Sequence, residues 1–470
     1  MNKTKKSKRS LIVRIGVLAF VITIVVGLIG CRKAPVQTGD IDQDKTVEDL
    51  DIRGTILFTV NNESGKAEEA MAPKAVVQKF MQRFPDTKVV YEESNRTTYP
   101  TRIASGDIGD VFWCDANDAN NYMHNHNALM PLDSYIKPLN IDLGNVYSGA
   151  LDCGKINGRL YMVPRKIGEQ TLIYNKDILE EAGIDDFDDS VAMPWEDFKD
   201  ICRRITVIEE DGTITRCGAA LKVWWHNTWQ MFFRGFGGKW IDNKLHKVTI
   251  TDSVEVMQGI NELIDGIKAG WLYPEDMAGQ VSGSLKYKIS DGDGDIKDVC
   301  FKTFGAMTWL TRLGTAYDQL KIDWDFCPFP AFPTHNISTG ATGYVVYNRT
   351  RNPNTAAAFA LFFLTEDGQR AYHSQTGGNV PLLKSLAEED FWHGVGTNWE
   401  DKNYDVFVMY TDYTSPASVI TQAPQEIADI FSNDAMMSVI ANIVNGKTDA
   451  QTAFEKLQTK ANEKWELIAN

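Results

Sequence analysis

Strand-like and helix-like segments alternate along the whole of this sequence, and that alternation predicts an α/β fold. The clearest instance is a strand, a helix and a second strand within residues 56–91, the pattern of a parallel sheet. Length agrees: behind a leader and a tether, roughly 420 residues remain, enough for two or three domains. No period of 20–50 residues recurs, which excludes a repeat array.

The chain opens with a leader. Lys3, Lys5, Lys6, Lys8, Arg9 and Arg14 form a positive cluster, an apolar run extends from Ile15 to Ile29, and Gly30 precedes Cys31. A charged start, a short apolar stretch and a small residue before the cut describe an export signal over 1–30. A spanning helix would want about 20 apolar residues, more than this run supplies. Leu28-Ile29-Gly30-Cys31 also resembles the lipobox of bacterial lipoproteins. The resemblance implies a diacylglycerol thioether on Cys31, palmitate-type acylation and an extracytoplasmic protein held at the cell membrane. An uncleaved anchor is the other reading, and it leaves the body on the same side. Residues 31–51, polar and acidic with Pro35 and Gly39, then read as a lipidated tether.

The body starts at Ile56-Leu57-Phe58-Thr59-Val60, a strand, followed by a loop at 61–65. Val76, Val77, Phe80, Met81 and Phe84 recur at helical spacing until Pro85 stops them. Lys88 to Tyr91 and Val111 to Trp113 are further strands. Pro194 opens a helix with Trp195, Phe198, Ile201, Cys202 and Ile205 on one face, and Met257, Ile260, Ile264 and Ile267 mark another. Residues 354–364 are apolar on every side, so that helix is expected to be almost fully buried, with Asp367-Gly368 as the break after it. From Gln425 onward the pattern is two or three helices.

Charge excludes one class of partner. The whole chain carries −15, and the leader contributes only positive charge, so the remainder is near −21. With no basic stripe, such a body is repelled by nucleic acid and by anionic lipid. Cys114, Cys153, Cys202, Cys217, Cys300 and Cys327 are scattered without a C-x-x-C pair, which argues for buried packing over metal or redox chemistry.

Several pieces, in order, resemble the family-1 extracellular solute-binding proteins, the group containing maltose-binding protein. They are Ser105-Gly106-Asp107 through Trp113, Asn157-Gly158-Arg159-Leu160-Tyr161-Met162-Val163-Pro164, Leu172-Ile173-Tyr174-Asn175-Lys176-Asp177 through Gly183, Pro194 to Phe198, Gly305 to Thr308, and Asn352-Pro353 through Gly368. The resemblance implies two lobes, each a mixed, mainly parallel sheet flanked by helices, joined by a hinge. It places 52–163 with 328–364 in one lobe and 164–327 with 365–470 in the other. A ligand would lie between them, and lobe closure would signal occupancy to the permease subunits of an ABC importer.

A sugar needs aromatic plates and fixed hydrogen-bonding groups in a water-poor cleft. By resemblance, Asn61 and Glu63 sit in a ligand-contacting loop, and the stretches from Trp224 to Trp229 and after Thr308 face ligand. Trp113, Trp224, Trp225, Trp229 and Trp309 are therefore either gripping plates or lobe packing. Trp224 and Trp225, read as strand neighbours, would point to opposite faces. Asp115 and Asn117 follow Trp113 as hydroxyl acceptors. Arg165 at the hinge and Arg312 past Trp309 either fork onto a carboxylate or hydroxyl pair or hold the lobes; both facing the cleft would suit an acidic sugar. No aromatic follows Ala423-Pro424-Gln425 as it does in maltose-binding protein, which argues against maltodextrins.

Other signals carry less. Asp291-Gly292-Asp293-Gly294-Asp295 begins like a calcium loop but has Ile296 and Lys302 where glycine and glutamate belong, so an acidic solvent-facing turn is expected. His124 and His126 lack a third ligand nearby. No nucleophile elbow, zinc-protease helix or phosphate loop is present. The expectation is a monomeric binding protein without cofactor, metal or catalytic residues, capturing an oligosaccharide or an acidic sugar. Its rivals are a surface-anchored glycan-degrading enzyme and a binder of some non-sugar solute.

Overall fold

The computed structural model describes residues 35–61, 70–166, 170–242, 244–290, 292–305, 309–375, 379–417, 419 and 423–469. The leader with Cys31, Glu63 and the segment 306–308 lie outside the described residues. Ten strands form the main paths of the two large sheets: β1 (Gly54–Asn61), β2 (Thr87–Ser94), β3 (Val111–Asp115), β4 (Met162–Pro164), β5 (Thr171–Asn175), β6 (Thr213–Leu221), β7 (Leu272–Pro274), β8 (Val299–Phe304), β9 (Trp324–Pro328) and β10 (Thr342–Val346), and the two-residue strands Val207–Ile208 and Lys286–Tyr287 also pair with β6. The first sheet has the order β2-β1-β3-β10-β4 and the second the order β7-β6-β8-β5-β9. In the first, β1 runs parallel to β2 and β3 while β10 is antiparallel to both its neighbours. In the second, β6 runs parallel to β7 and β8, and β5 is antiparallel to both its neighbours. The main path of each sheet is therefore mainly parallel with one reversed strand. The chain folds as two α/β lobes.

The helices that matter below are α1 (Met71–Arg83), α2 (Ala116–His124), α3 (Trp195–Ile205), α4 (His226–Gly235), α5 (Val254–Lys268), α6 (Leu310–Leu320), α7 (Pro353–Phe362), α8 (Glu366–His373), α9 (Asn433–Val444) and α10 (Ala450–Ala469). Strand β1 buries Ile56 and Phe58, and the Phe58 ring meets Phe359 of α7 at 4.9 Å. Phe80 of α1 meets the same Phe359 at 5.1 Å, so one phenylalanine joins two helices to the sheet. Every residue of α7 from Thr355 to Phe362 is buried, as its all-round apolar pattern requires. In the second lobe α3 turns Trp195, Phe198, Cys202 and Ile205 inward, with Glu196 and Asp197 in its first turn and Arg203 and Arg204 in its last, each end matched to the helix dipole. The six body cysteines are all buried and unpaired, and burial pushes the Cys153 thiol up to about 12.

Three expectations change. Asp367-Gly368 is not a break: Thr365 caps a new helix there, its hydroxyl accepting from the Gly368 amide, and both residues sit in the first turn of α8. Glycine is needed for closeness, since a Cβ at Gly368 would lie 2.0 Å from the Phe362 carbonyl oxygen. Only three residues separate α7 from α8, and α8 packs on α1 of the first lobe. The lobe boundary at 365 therefore moves: residues up to about 387 stay with the first sheet, where Val146 bridges Leu383 and the Tyr147 amide donates to the Leu382 carbonyl. Only then does the chain cross, and Tyr404 and Phe407 pack on Phe326 of β9. Finally, Asp295 is not solvent-facing. It is fully buried and takes the Lys302 ammonium at 2.7 Å, with Glu275 at 2.9 Å from the same nitrogen. The lysine at the twelfth position of the calcium-like loop supplies the cation internally.

At the lobe junction His373 is fully buried, its Nδ1 accepting from the Asn379 amide and its Nε2 facing the Gln369 carbonyl oxygen at 3.1 Å. Both nitrogens are satisfied by a neutral ring, and burial lowers the imidazole to about 3. The unfolded chain binds a proton below about pH 6.5 that the folded chain refuses. Stability is thus expected to fall as pH drops from 6.5 toward 3, by up to about 1.4 kcal/mol per pH unit. Urea unfolding at pH 7 and pH 5 checks it: His373→Gln should show a flatter dependence than the parent, and equal slopes would refute the assignment.

Candidate functional site between the lobes

On the second lobe, the chain leaves β6 through a turn rather than continuing as a strand. Trp224 and Trp225 therefore do not alternate across a sheet, and Trp225 sits at the start of α4. Its indole lies 6.1 Å from that of Trp309, which starts α6, with 41° between the planes. Gly305 makes room for the pair, since a Cβ there would come within 2.9 Å of the Trp225 ring. Trp224 is half-buried and donates from Nε1 to the Glu275 carbonyl at 2.9 Å. The Lys222 ammonium stands 5.8 Å from the Trp224 ring and 5.9 Å from that of Trp309, held by the Glu275 carboxylate at 3.3 Å and by Asp276. Arg312 is exposed, its guanidinium 5.9 Å from the Trp309 ring. Trp229 is different. It is fully buried among Phe233, Trp240 and Phe431, and it leaves the list of cleft plates for the core.

On the first lobe, Trp113 ends nearly buried beneath Arg96, whose guanidinium is 5.9 Å from the ring. Arg96 donates from Nη1 to Asp115 at 3.0 Å, and its backbone amide donates to the Asn61 side chain at 3.1 Å. Asp115 uses its other oxygen to cap α2 through the Asp118 amide at 2.8 Å. Arg96 thus ties three predicted residues into one unit. Nothing in periodicity marks it, because it lies in the turn after β2. Asn117 lies in the first turn of α2. Burial lowers the His226 imidazole of the second lobe, while the Asn433 side chain and then the Asp115 charge of the first lobe act the other way.

The floor is the chain crossing. Arg165 donates from Nε to the Thr342 hydroxyl at 3.0 Å and from Nη1 to the Tyr372 hydroxyl at 2.8 Å, strapping β4, β10 and α8 together. Gln170 and Asn227 each hold a buried side-chain carbonyl oxygen without a hydrogen-bond partner among the described residues. The Gln170 amide donates to Thr228 at 3.4 Å, and Gly340 of the return crossing abuts the Asn227 amide. Buried acceptors of this kind are rare, and each costs free energy until something donates to it. The sequence offered no signal for them. An aromatic wall, an Arg–Asp wall and orphaned acceptors at the hinge suit a polar, hydroxyl-bearing guest.

Residues 61–370 match the model of a family described as bacterial extracellular solute-binding proteins. The chain belongs to that family. Among curated proteins, the arabinooligosaccharide-binding protein of Halalkalibacterium halodurans is 21% identical over 245 residues, which is 52% of this chain and 51% of the relative, so the chain spans about half the length of the curated relative it matches. Among solved structures, MalE from Xanthomonas citri, a sugar-binding protein, aligns with a TM-score of 0.70 at 15% identity, covering 88% of this solute-binding protein and 98% of that chain. The cyclic alpha-maltosyl-1,6-maltose binding protein from Arthrobacter globiformis aligns with 0.68 at 16%, covering 88% and 99%. An ABC substrate-binding protein from Listeria monocytogenes, solved with cycloalternan, aligns with 0.66 at 18%, covering 88% and 99%. These structural likenesses bear on the fold of the solute-binding protein: the two-lobed architecture expected from its sequence is the one it has.

Proposed function

We propose that this solute-binding protein captures a carbohydrate between its lobes and delivers it to the permease of an ABC importer. The observation that carries the reading is the Trp225–Trp309 pair on one lobe opposite the Arg96–Asp115 unit on the other. Indole faces match the apolar faces of a pyranose or furanose, and the fixed polar groups match its hydroxyls. A guest that touches both lobes biases the open–closed equilibrium, which one held by a single lobe cannot do. The oligosaccharide binders among its relatives support a sugar over a peptide or polyamine. Arg165 is already engaged by Thr342 and Tyr372, which favours a neutral sugar over an acidic one. Asn61, Trp113, Trp224 and Arg312 flank the same cleft as secondary contacts. Cys31, with its acyl chains, would keep the protein at the outer face of the membrane as a monomer.

A thermal-shift screen across neutral oligosaccharides, uronates, peptides and polyamines tests the reading, because ligand above its Kd raises apparent stability. Neutral oligosaccharides are expected to shift the transition and to be recovered intact. A shift only with peptides or polyamines, or the appearance of shorter sugars, would defeat it.

A further inference from the structure

Residues 31–51 read in sequence as a tether, yet from Gln37 onward the chain lies on the first lobe. The Gln37 amide donates to the Asn348 carbonyl at 2.6 Å, and its side chain donates to the Thr350 carbonyl at 3.4 Å. Gly39 is buried with φ at +72°, a left-handed conformation in which a Cβ would collide with the Pro131 carbonyl. The Gly39 carbonyl accepts from the Ser134 hydroxyl, and the Gln43 side chain donates to the Ser134 carbonyl at 2.8 Å. Ile41 and Ile52 pack on the core, and Leu50 enters it. Asp40 and Asp44 add outer ion pairs with Arg159 and Lys137 at 3.5 Å each, which contribute little at such exposure. The buried glycine and leucine do most of the holding. All of these partners belong to the first lobe.

Docking shortens the reach of the anchor. Five residues, Arg32 to Val36, separate Cys31 from Gln37. Whatever path they take, they span at most about 20 Å, where a free chain from Cys31 to Ile52 would span about 70 Å. The place of docking is also particular. Strand β10 leaves the crossing at Thr342, beside Arg165, and Asn348 lies about 20 Å further along an extended chain. The anchor is therefore tied to the end of the first sheet remote from the crossing. With six acidic residues from Asp40 to Asp51, the strap has no charge attraction for anionic lipid, so its short reach alone sets the distance.

We propose that the end of the first lobe carrying Gln37, Asn348 and Arg351 is the surface apposed to the lipid bilayer, fixed there by the docked strap, so that the second lobe carries the closing movement. The inference rests on the reading of Cys31 as the membrane anchor and goes beyond it. An anchor on a free tether sets neither a facing surface nor a mobile lobe.

Förster transfer to phosphatidylcholine vesicles with a headgroup acceptor tests it on the full acylated chain. Donor dyes go on Arg351→Cys, beside the strap, and on Glu210→Cys, at the far end of β6 from the cleft. Both positions are exposed, and the six native body cysteines are buried and poorly reactive. Transfer from position 351 should clearly exceed that from 210. Inserting twenty Gly/Ser residues after Lys33 raises the root-mean-square reach from about 13 Å to about 28 Å and should lower transfer from 351 about twofold. Gly39→Val, which undocks the strap, should lower it similarly; the insertion leaves the body untouched and decides alone if that variant fails to fold. Where Cys31→Ser leaves the vesicles, equal transfer from both positions, or undiminished transfer in either folded variant, overturns the proposal while the anchor reading stands. If Cys31→Ser stays bound to them, both fall.

Discussion

Replacing Lys302 by alanine is expected to destabilise the second lobe by about 3–5 kcal/mol, the cost of leaving buried carboxylates without their cation. Lys302 is 2% exposed, and its ammonium lies between Asp295, fully buried, and Glu275, 3% exposed. Burial disfavours its charge, and the two carboxylates more than reverse that, so its pKa is raised. Removing the cation alone leaves two anions in a dry interior. Removing all three charges together should be far milder: the triple change Lys302→Met, Asp295→Asn, Glu275→Gln is expected to recover most of the lost stability. Urea unfolding followed by fluorescence measures both. A Lys302→Ala midpoint equal to that of the parent would show that the cluster is solvated and unimportant. Because Glu275 also anchors Lys222 beneath Trp224 and Trp309, the single change should weaken ligand binding as well.

The second large effect is on binding. Trp225→Ala and Trp309→Ala are each expected to weaken sugar affinity about 10- to 30-fold, roughly 1.4–2 kcal/mol, since a stacked indole supplies both area and orientation. Both rings are half-buried, so the fold should survive. The two losses should combine to less than their sum, because the rings meet at 6.1 Å and share one partner. Trp229→Ala provides the contrast. Its ring is fully enclosed, so the expected result is about 3–5 kcal/mol of lost stability. Calorimetry and unfolding on the same three variants separate the cases; equal affinity in Trp225→Ala and Trp309→Ala would remove the aromatic wall from the mechanism.

These three tryptophans show how far the sequence can be read. Each is a large aromatic within a stretch that resembles a ligand-facing one, and no pattern separates Trp229 from Trp225. Trp225 caps α4 in an extended conformation, whereas Trp229 lies within the helix among Phe233 and Trp240, and that enclosure exists only once the helix is docked on α5. Arg96 is the converse case. It sits in a turn without periodicity, yet it joins Asn61 to Trp113 and Asp115, more than fifty positions further on, because parallel strands β1 and β3 bring their ends together. Gly368 misled for a local reason: glycine after aspartate reads as a turn, whereas here it allows α8 to lie against the end of α7.

Local chemistry written along one chain was enough to determine the alternation of strands and helices, the buried α7, the family and hence the two-lobed architecture, since hydrophobic periodicity and ordered short motifs need no knowledge of distant partners. The tertiary structure alone decided that Trp229 belongs to the core, where the third crossing falls and that Lys302 neutralises Asp295. Each of those depends on which surfaces meet across long sequence separations, and that is settled by packing two sheets and their helices together.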